Sequence, residues 1–194
     1  MEKKIVKRIV LLASGSGTNV ENIIRYFDQK ENPMVQVVMV MTNNPSAGVL
    51  KRVAPYKVST HVFDKISLNN GRLLDQMAQL KPDLIVLAGF LWKIPKDMVE
   101  AFPQKIINIH PALLPKYGGK GMYGERVHQA VKVAGEIETG ITIHYVNPHY
   151  DEGAIIFQAR IEIDREDSPQ QIAQKVHQLE YLHYPSVIRK LLFS

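Results

Sequence analysis

The sequence IVKRIVLLASGSGTNVENIIRYFDQ (residues 5–29) places an apolar strand, a glycine-containing turn and an amphipathic helix in immediate succession. A strand is predicted over Ile5–Leu12, where apolar residues dominate the run. A helix is predicted over Asn19–Gln29, because Ile23, Ile24 and Phe27 recur on one of its faces. The turn therefore joins the carboxyl end of a strand to the amino end of a helix, as in open α/β sheets.

Strands and helices alternate in the same way through the first hundred residues. Further strands are predicted at Val35–Thr42, Thr60–Phe63, Asp83–Ala88 and Ile106–Ile109. Helices are predicted between them at Ala47–Ala54, Leu68–Leu80 and Pro95–Ala101. Strands that are apolar on both faces and separated by helices are typical of a parallel sheet covered on both sides.

The pattern changes after a glycine- and proline-rich loop at residues 111–123. A helix at Gly124–Ala134 is followed by strands at Glu138–Val146 and Ala154–Ile163. A final helix is predicted to begin at Ser168-Pro169 and to be broken or kinked at Pro185. The sequence therefore predicts an α/β fold: a doubly wound, mostly parallel central sheet of about seven strands with helices on both faces.

Length and composition narrow the classes of protein. The chain has 194 residues and no cysteine, which excludes disulfides, zinc-thiolate sites and thiol nucleophiles. The net charge of +5 comes from scattered lysines and arginines, and a mild positive field attracts phosphorylated small molecules. The apolar run Ile9–Ala13 is too short for a membrane span. We expect a cytoplasmic protein that binds neither nucleic acid nor membrane.

The turn after the first strand has the composition of an anion site. Its glycines allow close approach of a ligand, and the N–H groups at a helix start attract phosphate. The dinucleotide fingerprint fails because Val20 stands where a third glycine is needed, and the Walker A sequence is absent. A tight turn that binds nothing remains an alternative for these residues. The candidate phosphate ligands are Gly15, Ser16, Gly17, Thr18 and Asn19.

A polar pair ends the predicted fifth strand. Asn108 and His110 are two residues apart, so their side chains point to the same face at the carboxyl edge of the sheet. Asp151 lies in the turn between the last two strands and gains a role only if that turn folds over His110. A hydrogen-bonded strand-end histidine and an ordinary turn aspartate are the simpler alternatives. His144 is a second polar residue in an apolar strand. It either takes part directly in the site or is an ordinary hydrogen-bonded histidine of the sheet.

Two other kinds of site find little support. A metal site built from His110, His144, His149 and Asp151 would lack any recognised close ligand pair, so we expect no metal. No Gly-x-Ser-x-Gly sequence is present, which argues against a serine hydrolase.

Several motifs together resemble the glycinamide ribonucleotide transformylases, a family of folate-dependent formyltransferases. The resemblance covers about residues 5–190. The motifs are SGSGTN at 14–19, LAGFLWKI at 87–94, NIHPALLPKY at 108–117, TGITIH at 139–144 and DEG at 151–153. The family often has Asp-Gly-Gly at the last of these, and some members have glutamine where this chain has His177.

The resemblance implies formyl transfer from 10-formyltetrahydrofolate to the amine of phosphoribosylglycinamide, in purine biosynthesis. It implies that Asn108, His110 and Asp151 are catalytic, that Gly15–Asn19 binds the substrate phosphate, and that Glu180 contacts the glycinamide or ribose part. The implied folate-binding residues are Leu91, Trp92, Lys93, Ile94 and Asn108. Small-molecule substrates and a monomer or homodimer follow from the same resemblance.

On the same basis, residues 1–194 are expected to form one formyltransferase domain. Its Rossmann-like phosphate-binding half spans 1–105, and its catalytic and folate-binding half spans 106–194. Formyltetrahydrofolate hydrolase and methionyl-tRNA formyltransferase are alternatives with the same catalytic trio, but we expect each to need a further domain for which this chain has no room. A non-catalytic phosphate- or folate-binding protein is the third alternative.

Overall fold

A central sheet organises the described chain, which covers residues 6–28 and 34–194 of a computed structural model. Its strands are β1 (Lys7–Leu12), β2 (Val35–Thr42), β3 (Thr60–Val62), β4 (Leu84–Leu87), β5 (Ile106–His110), β6 (Glu138–Tyr145) and β7 (Ile155–Glu162). They lie in the order β3-β2-β1-β4-β5-β6-β7. The first five are parallel, and β6 and β7 are antiparallel to their neighbours. The predicted fold class is therefore confirmed.

Helices cover both faces of this sheet. They are α1 (Thr18–Asp28), α2 (Gly48–Val53) with a 3-10 turn at Ala54–Tyr56, α3 (Lys65–Asn69), α4 (Arg72–Leu80), α5 (Lys96–Ala101), α6 (Glu125–Val133) and α7 (Pro169–Phe193). Ile5 and Gln29, the predicted outer ends of the first strand and helix, lie outside the described residues, as does the segment before Ile5.

The core lies in two layers because side chains of a strand alternate between its faces. Ile9 and Leu11 of β1 belong to one layer, which packs against α1 and α7. Val10 and Leu12 belong to the other, which packs against α4 and α5. All four side chains are fully buried. Burial on both faces explains why the buried part of β1, Ile9–Leu12, is continuously apolar and not alternating.

The strand order places a crevice at the carboxyl ends of β1 and β4. The chain leaves β1 toward β2 and β3 on one side and then returns to pair β4 with the other side of β1. Helices that leave such a switch point diverge to opposite faces, and ligands bind in the space between them. The topology therefore brings the loop after β1 close to the polar end of β5.

The helix predicted at Leu68–Leu80 is wrong as a single element. The structure has two helices, α3 and α4, separated at residues 70–71. Asp64 begins α3 with a capping box, in which its side chain accepts from the N–H of Ser67. Gly71 has a φ of +85° and begins α4 in a left-handed conformation that glycine adopts without strain. The apolar spacing continues across the break, which is why the pattern concealed it.

The predicted break at Pro185 is also wrong. The helix α7 continues through Pro185 to Phe193, and its start at Ser168 is a capping box as its composition predicts. Proline cannot donate to the carbonyl of Tyr181, four residues earlier. Asn22 of α1 supplies the missing donor, because its Nδ2 lies 2.9 Å from that carbonyl oxygen. A tertiary hydrogen bond therefore replaces the lost helical one.

A buried threonine attaches the loop after β5 to the sheet. Thr142 of β6 donates from Oγ1 to the carbonyl of Ala112 at 2.7 Å. The same oxygen accepts from the N–H of Leu114 at 3.0 Å and from Nε2 of Gln158 at 2.9 Å. All three bonding positions of the hydroxyl are thereby used.

The described residues include no helix with the length and hydropathy of a membrane span.

Replacing Thr142 by valine should destabilise the protein, because it leaves the N–H of Leu114 and the carbonyl of Ala112 unpaired. We expect the free energy of unfolding to fall by about 2–3 kcal/mol in urea denaturation. Thr60→Val, on the exposed edge strand β3, is the matched control and should change it by less than about 0.5 kcal/mol. Equal effects of the two substitutions would show that the Thr142 hydroxyl does not hold the loop.

Candidate active site

A cavity of about 900 Å³ opens at the carboxyl edge of the sheet. Its walls come from the loop after β1, the segment after β4, the end of β5, the 119–125 segment, the β6–β7 turn and the first half of α7. Every candidate site residue predicted from the sequence lines it. One cavity therefore contains the predicted phosphate-binding, catalytic and folate-binding residues, which lie in separate sequence motifs.

The glycine loop forms one end of the cavity, at the start of α1. Gly17 has a φ of +76°, and a Cβ at this position would lie 2.4 Å from Cγ2 of Val49. The N–H of Val49 donates to the carbonyl of Gly15, and Nε of Arg52 donates to the carbonyl of Ser16, at 3.0 and 2.9 Å. The helix α2 therefore fixes this loop from behind, with the positive end of the α1 dipole toward the cavity.

The polar end of β5 forms the middle of the cavity wall. Nδ1 of His110 lies 3.5 Å from Oδ2 of Asp151, so the β6–β7 turn does fold over the strand end. Asp151 is mostly buried, and its Oδ2 accepts from the N–H of Gly119 at 2.9 Å. The three residues that the resemblance identifies as catalytic are thus brought together, although Asn108 reaches Asp151 only through a fourth residue.

That fourth residue is His144, whose position across the sheet pairs it with Asn108 in the β5–β6 register. Nδ1 of His144 donates to the carbonyl of Tyr145 at 2.9 Å. Its Nε2 lies 3.2 Å from Nδ2 of Asn108 and 3.6 Å from Oδ1 of Asp151. The amide of Asn108 therefore donates one of its two hydrogens to His144 and retains the other.

Burial and charge act in opposite directions on the protonation of this cluster. Burial lowers the pKa of His110 below its usual value of 6.5, and the Asp151 carboxylate and the Tyr117 carbonyl oppose that fall. Burial raises the pKa of Asp151, but contacts with His144, His110 and the N–H of Gly119 outweigh it, and the pKa lies below 3.8. Asp151 is therefore ionised at neutral pH beside a histidine that can gain or lose a proton.

A second polar cluster lies between the glycine loop and α7. Oε2 of the buried Glu180 accepts from Nδ2 of Asn19 and from Nδ1 of His177, both at 2.8 Å. The bond with Glu180 raises the pKa of His177. His128 of α6 lies beside this cluster, with its ring 6.5 Å from that of His177. Glu180 and Asn19 were expected at the site from the family resemblance, whereas neither His128 nor His177 was predicted to belong to it.

The far end of the cavity is apolar and aromatic. The segment after β4 carries the predicted folate-binding residues, and Leu91 and Trp92 are partly exposed there. The N–H of Leu91 donates to Oγ of Ser14 at 3.0 Å, which ties this segment to the glycine loop. Lys93 lies over the ring of Tyr150, 6.0 Å from its centre. Ile94 is buried and also packs into the core beneath.

Among the described residues, no group of three or more histidines, cysteines or carboxylates is arranged to hold a metal ion. Asn108, His110 and Asp151 supply this site with groups that can form hydrogen bonds and exchange protons.

Comparison with known proteins identifies the family. A family model described as formyl transferase matches residues 7–188. The chain belongs to the formyl transferase family. This finding confirms the resemblance that the sequence motifs indicate.

Relatives of this formyl transferase include several named phosphoribosylglycinamide formyltransferase. Phosphoribosylglycinamide formyltransferase of Bacillus subtilis is 36% identical over 192 residues, covering 96% of this chain and 95% of the relative. The chloroplastic phosphoribosylglycinamide formyltransferase of Arabidopsis thaliana is 36% identical over 189 residues, or 94% of this chain, which spans 64% of that relative. The crystal structure of phosphoribosylglycinamide formyltransferase from Bacillus halodurans matches with a TM-score of 0.87 at 31% identity, covering 97% and 96% of the two chains.

Buried His128 should make the stability of this formyl transferase depend on pH. Its Nδ1 has no hydrogen-bond partner among the described residues, and burial lowers its pKa to about 4. The unfolded chain binds a proton at the ordinary pKa of 6.5, so unfolding is favoured as the pH falls from 6.5 toward 4. Replacing His128 by leucine removes this pH-dependent contribution to the free energy of unfolding, which is at most about 3 kcal/mol.

The measurement is urea denaturation of both proteins at several pH values between 7.5 and 4. The difference in unfolding free energy between the native chain and His128→Leu should shift in favour of the variant as the pH falls. Carboxylates that titrate in the same range cancel in this difference. Parallel stability curves would contradict the assignment of a neutral, buried His128.

Proposed function

We propose that this chain transfers a formyl group from 10-formyltetrahydrofolate to the amine of phosphoribosylglycinamide, a step of purine biosynthesis. The observation that carries the proposal is the closure of the Asp151 turn over His110, with Asn108 linked to Asp151 through His144, within one cavity that also contains the glycine loop. The relatives named phosphoribosylglycinamide formyltransferase, at 36% identity over nearly the whole chain, support it.

The two ends of the cavity suit the two substrates. Residues Gly15–Asn19 bind the substrate phosphate at the amino end of α1, where the helix dipole favours an anion. Glu180, already held by Asn19, contacts the glycinamide or ribose part. The folate lies against Leu91–Ile94 and the 147–151 turn, where the walls are apolar and aromatic. The reacting groups then meet between these ends, beside the polar tip of β5.

Asn108 stabilises the charge that develops during transfer. The amine attacks the formyl carbon, and negative charge moves to the former carbonyl oxygen. Asn108 donates its remaining amide hydrogen to that oxygen while its other hydrogen stays bonded to His144. One preorganised donor of this kind is worth about 3–4 kcal/mol of the barrier. His144 therefore positions Asn108 before the substrates bind.

His110 and Asp151 transfer a proton from the attacking amine to the folate nitrogen. As the new carbon–nitrogen bond forms and the bond to the folate nitrogen breaks, the attacking amine must lose one proton and the folate nitrogen must gain one. Asp151 favours the charged form of His110, and both ring nitrogens of His110 face acceptors. The pair therefore accepts and returns the proton, directly or through a water, without a covalent intermediate on the protein.

The proposed transferase, a formyltetrahydrofolate hydrolase and a non-catalytic binding protein differ in what they do to 10-formyltetrahydrofolate. A spectrophotometric assay of 10-formyltetrahydrofolate, with and without phosphoribosylglycinamide, separates them. Deformylation that requires the ribonucleotide supports the proposed transfer. Deformylation without it points to a hydrolase, and no reaction in either case points to a binding protein. Formylation of methionyl-tRNA is tested in a parallel reaction.

Asp151→Asn should reduce the turnover of that reaction far more than the binding of either substrate. We expect kcat to fall by about 100-fold or more, because the amide neither favours charged His110 nor accepts a proton. KM should change by less than about threefold. Asp97→Asn, an exposed aspartate of α5, is the control and should be neutral. Near-normal kcat in Asp151→Asn would remove Asp151 from the mechanism.

Gly17→Ala should weaken binding of the phosphorylated substrate specifically. The added Cβ collides with Val49 and must displace the loop. We expect the KM for phosphoribosylglycinamide to rise by about tenfold or more while the KM for the folate changes little. Gly71→Ala, where φ is also positive but a Cβ meets no atom within 4 Å, controls for backbone strain. Equal KM values for the ribonucleotide in the two variants would place the phosphate elsewhere.

The division of the chain into a phosphate-binding half (1–105) and a catalytic and folate-binding half (106–194) is part of this proposal. A cytoplasmic location and a monomeric or homodimeric state, without nucleic acid, are its remaining parts.

A further inference from the structure

The loop after β5 controls the orientation of His110 from outside the cavity. The carbonyl of Tyr117 lies 2.7 Å from Nε2 of His110. A carbonyl oxygen only accepts, so Nε2 carries a hydrogen and Nδ1 is the nitrogen that faces Asp151. The orientation of the catalytic imidazole therefore depends on where this one backbone carbonyl is held.

Tyr117 needs support to hold its carbonyl there. Its φ of +57° is in the left-handed region, which costs a residue with a Cβ about 1–2 kcal/mol. A strained conformation persists only where neighbouring contacts fix it. Thr142 and Gln158 fasten the loop near Ala112 and Leu114, several residues before Tyr117, so a separate contact is needed at this end.

The side chain of Tyr117 provides that contact. Its Oη donates to Oε1 of Glu136 at 2.8 Å, and Nζ of Lys116 donates to the same oxygen at 2.8 Å. Glu136 precedes β6, so it links the loop to the sheet. Burial and Glu136 raise the pKa of Tyr117 to about 12, while Lys116 and Tyr117 lower the pKa of Glu136. The phenol stays protonated and the carboxylate ionised throughout the working pH range.

These side chains lie outside the candidate active site. Tyr117, Glu136 and Lys116 line a second cavity of about 300 Å³, which shares no lining residue with the first in the described chain. No substrate in the first cavity would touch them. An effect of these residues on turnover would therefore have to pass through the Tyr117 backbone.

We propose that Tyr117 and Glu136 are positioning residues for His110: the Tyr117–Glu136 hydrogen bond holds the Tyr117 carbonyl against Nε2 and so directs Nδ1 to Asp151. The kinetic part of this inference rests on the proposed function. The structural part does not, because the protonation of His110 can be measured in the protein without substrates.

Other titratable groups also face His110, and none of them replaces the carbonyl. Asp151 approaches from the β6–β7 turn and His144 from β6. Glu180 of α7 acts on His110 through its charge, and His128 of α6 lies near it. Among the described residues, only the carbonyl of Tyr117 is bonded to Nε2. Loss of its support should therefore change the tautomer and the pKa of His110 while these other groups stay in place.

The deciding variant is Tyr117→Phe, which keeps the ring and removes the hydroxyl. Nitrogen-15 NMR of histidine-labelled protein, with the His110 signals assigned through His110→Gln, reports the tautomer and the pKa without turnover. We expect mixed Nε2–H and Nδ1–H tautomers and a lower pKa, since the Tyr117 carbonyl raises the pKa of His110 in the native protein. In the transfer assay, kcat should fall about tenfold while both KM values stay within about twofold.

Variants of Glu136 test whether the effect on His110 passes through the Tyr117–Glu136 hydrogen bond. Glu136→Gln keeps an acceptor oxygen for Oη and should retain native His110 signals and rate, whereas Glu136→Ala should behave like Tyr117→Phe. The double variant Tyr117→Phe/Glu136→Ala should be no worse than either single variant, because both break the same bond. Glu138→Gln, which removes the charge from the exposed Arg160 pair on the same cavity wall, is the control and should change nothing.

Native His110 signals in Tyr117→Phe would overturn the inference, whatever the rate. So would additive effects in the double variant, or loss of the native signals in Glu136→Gln. Thermal unfolding of each variant checks the fold, and Tyr117→Phe alone decides the question if Glu136→Ala does not fold. A chain that transfers no formyl group but shows the expected NMR changes would refute the proposed function and leave the positioning of His110 intact.

Discussion

The buried carboxylate of Asp151 is the group on which the arrangement of the site depends. It lies against His110 and His144 and accepts from the N–H of Gly119, so three separate parts of the chain converge on one negative charge. A buried carboxylate without such partners would be costly, and the pKa of Asp151 shows that the partners outweigh burial. The β6–β7 turn is thereby held over the end of β5, and the cavity acquires its polar middle.

The change from parallel to antiparallel pairing makes this convergence possible. Because β6 runs back along β5, the polar end of β5 faces the carboxyl-terminal part of β6, and Asn108 comes opposite His144. The turn after β6 begins beside Ile106 and Ile107 at the start of β5, and within it Asp151 reaches back to His110. A further parallel strand would have needed a crossover connection at this point instead of a turn.

Much of this arrangement could be predicted from the sequence, because burial on both faces gives continuous apolar strands and a switch point follows from their order. The Asn108–His110 spacing likewise fixed a shared face. The remainder depends on contacts between distant residues. His144 gained its place through strand register, and Tyr117 contacts His110 through its backbone carbonyl, which no side-chain pattern reveals. The break between α3 and α4 depends on the left-handed backbone of Gly71, and the continuity of α7 at Pro185 depends on the hydrogen bond from Asn22.

The bond from Asn22 to α7 also affects the end of the cavity that contains the glycine loop and Glu180. It lies one turn of α1 beyond Asn19, which is itself bonded to Glu180 of α7. Two hydrogen bonds therefore join α1 to α7, and neither helix can slide along the other without breaking both. The distance between the glycine loop and Glu180 is therefore set by the packing of α1 against α7, so a ligand that contacts both must match that distance.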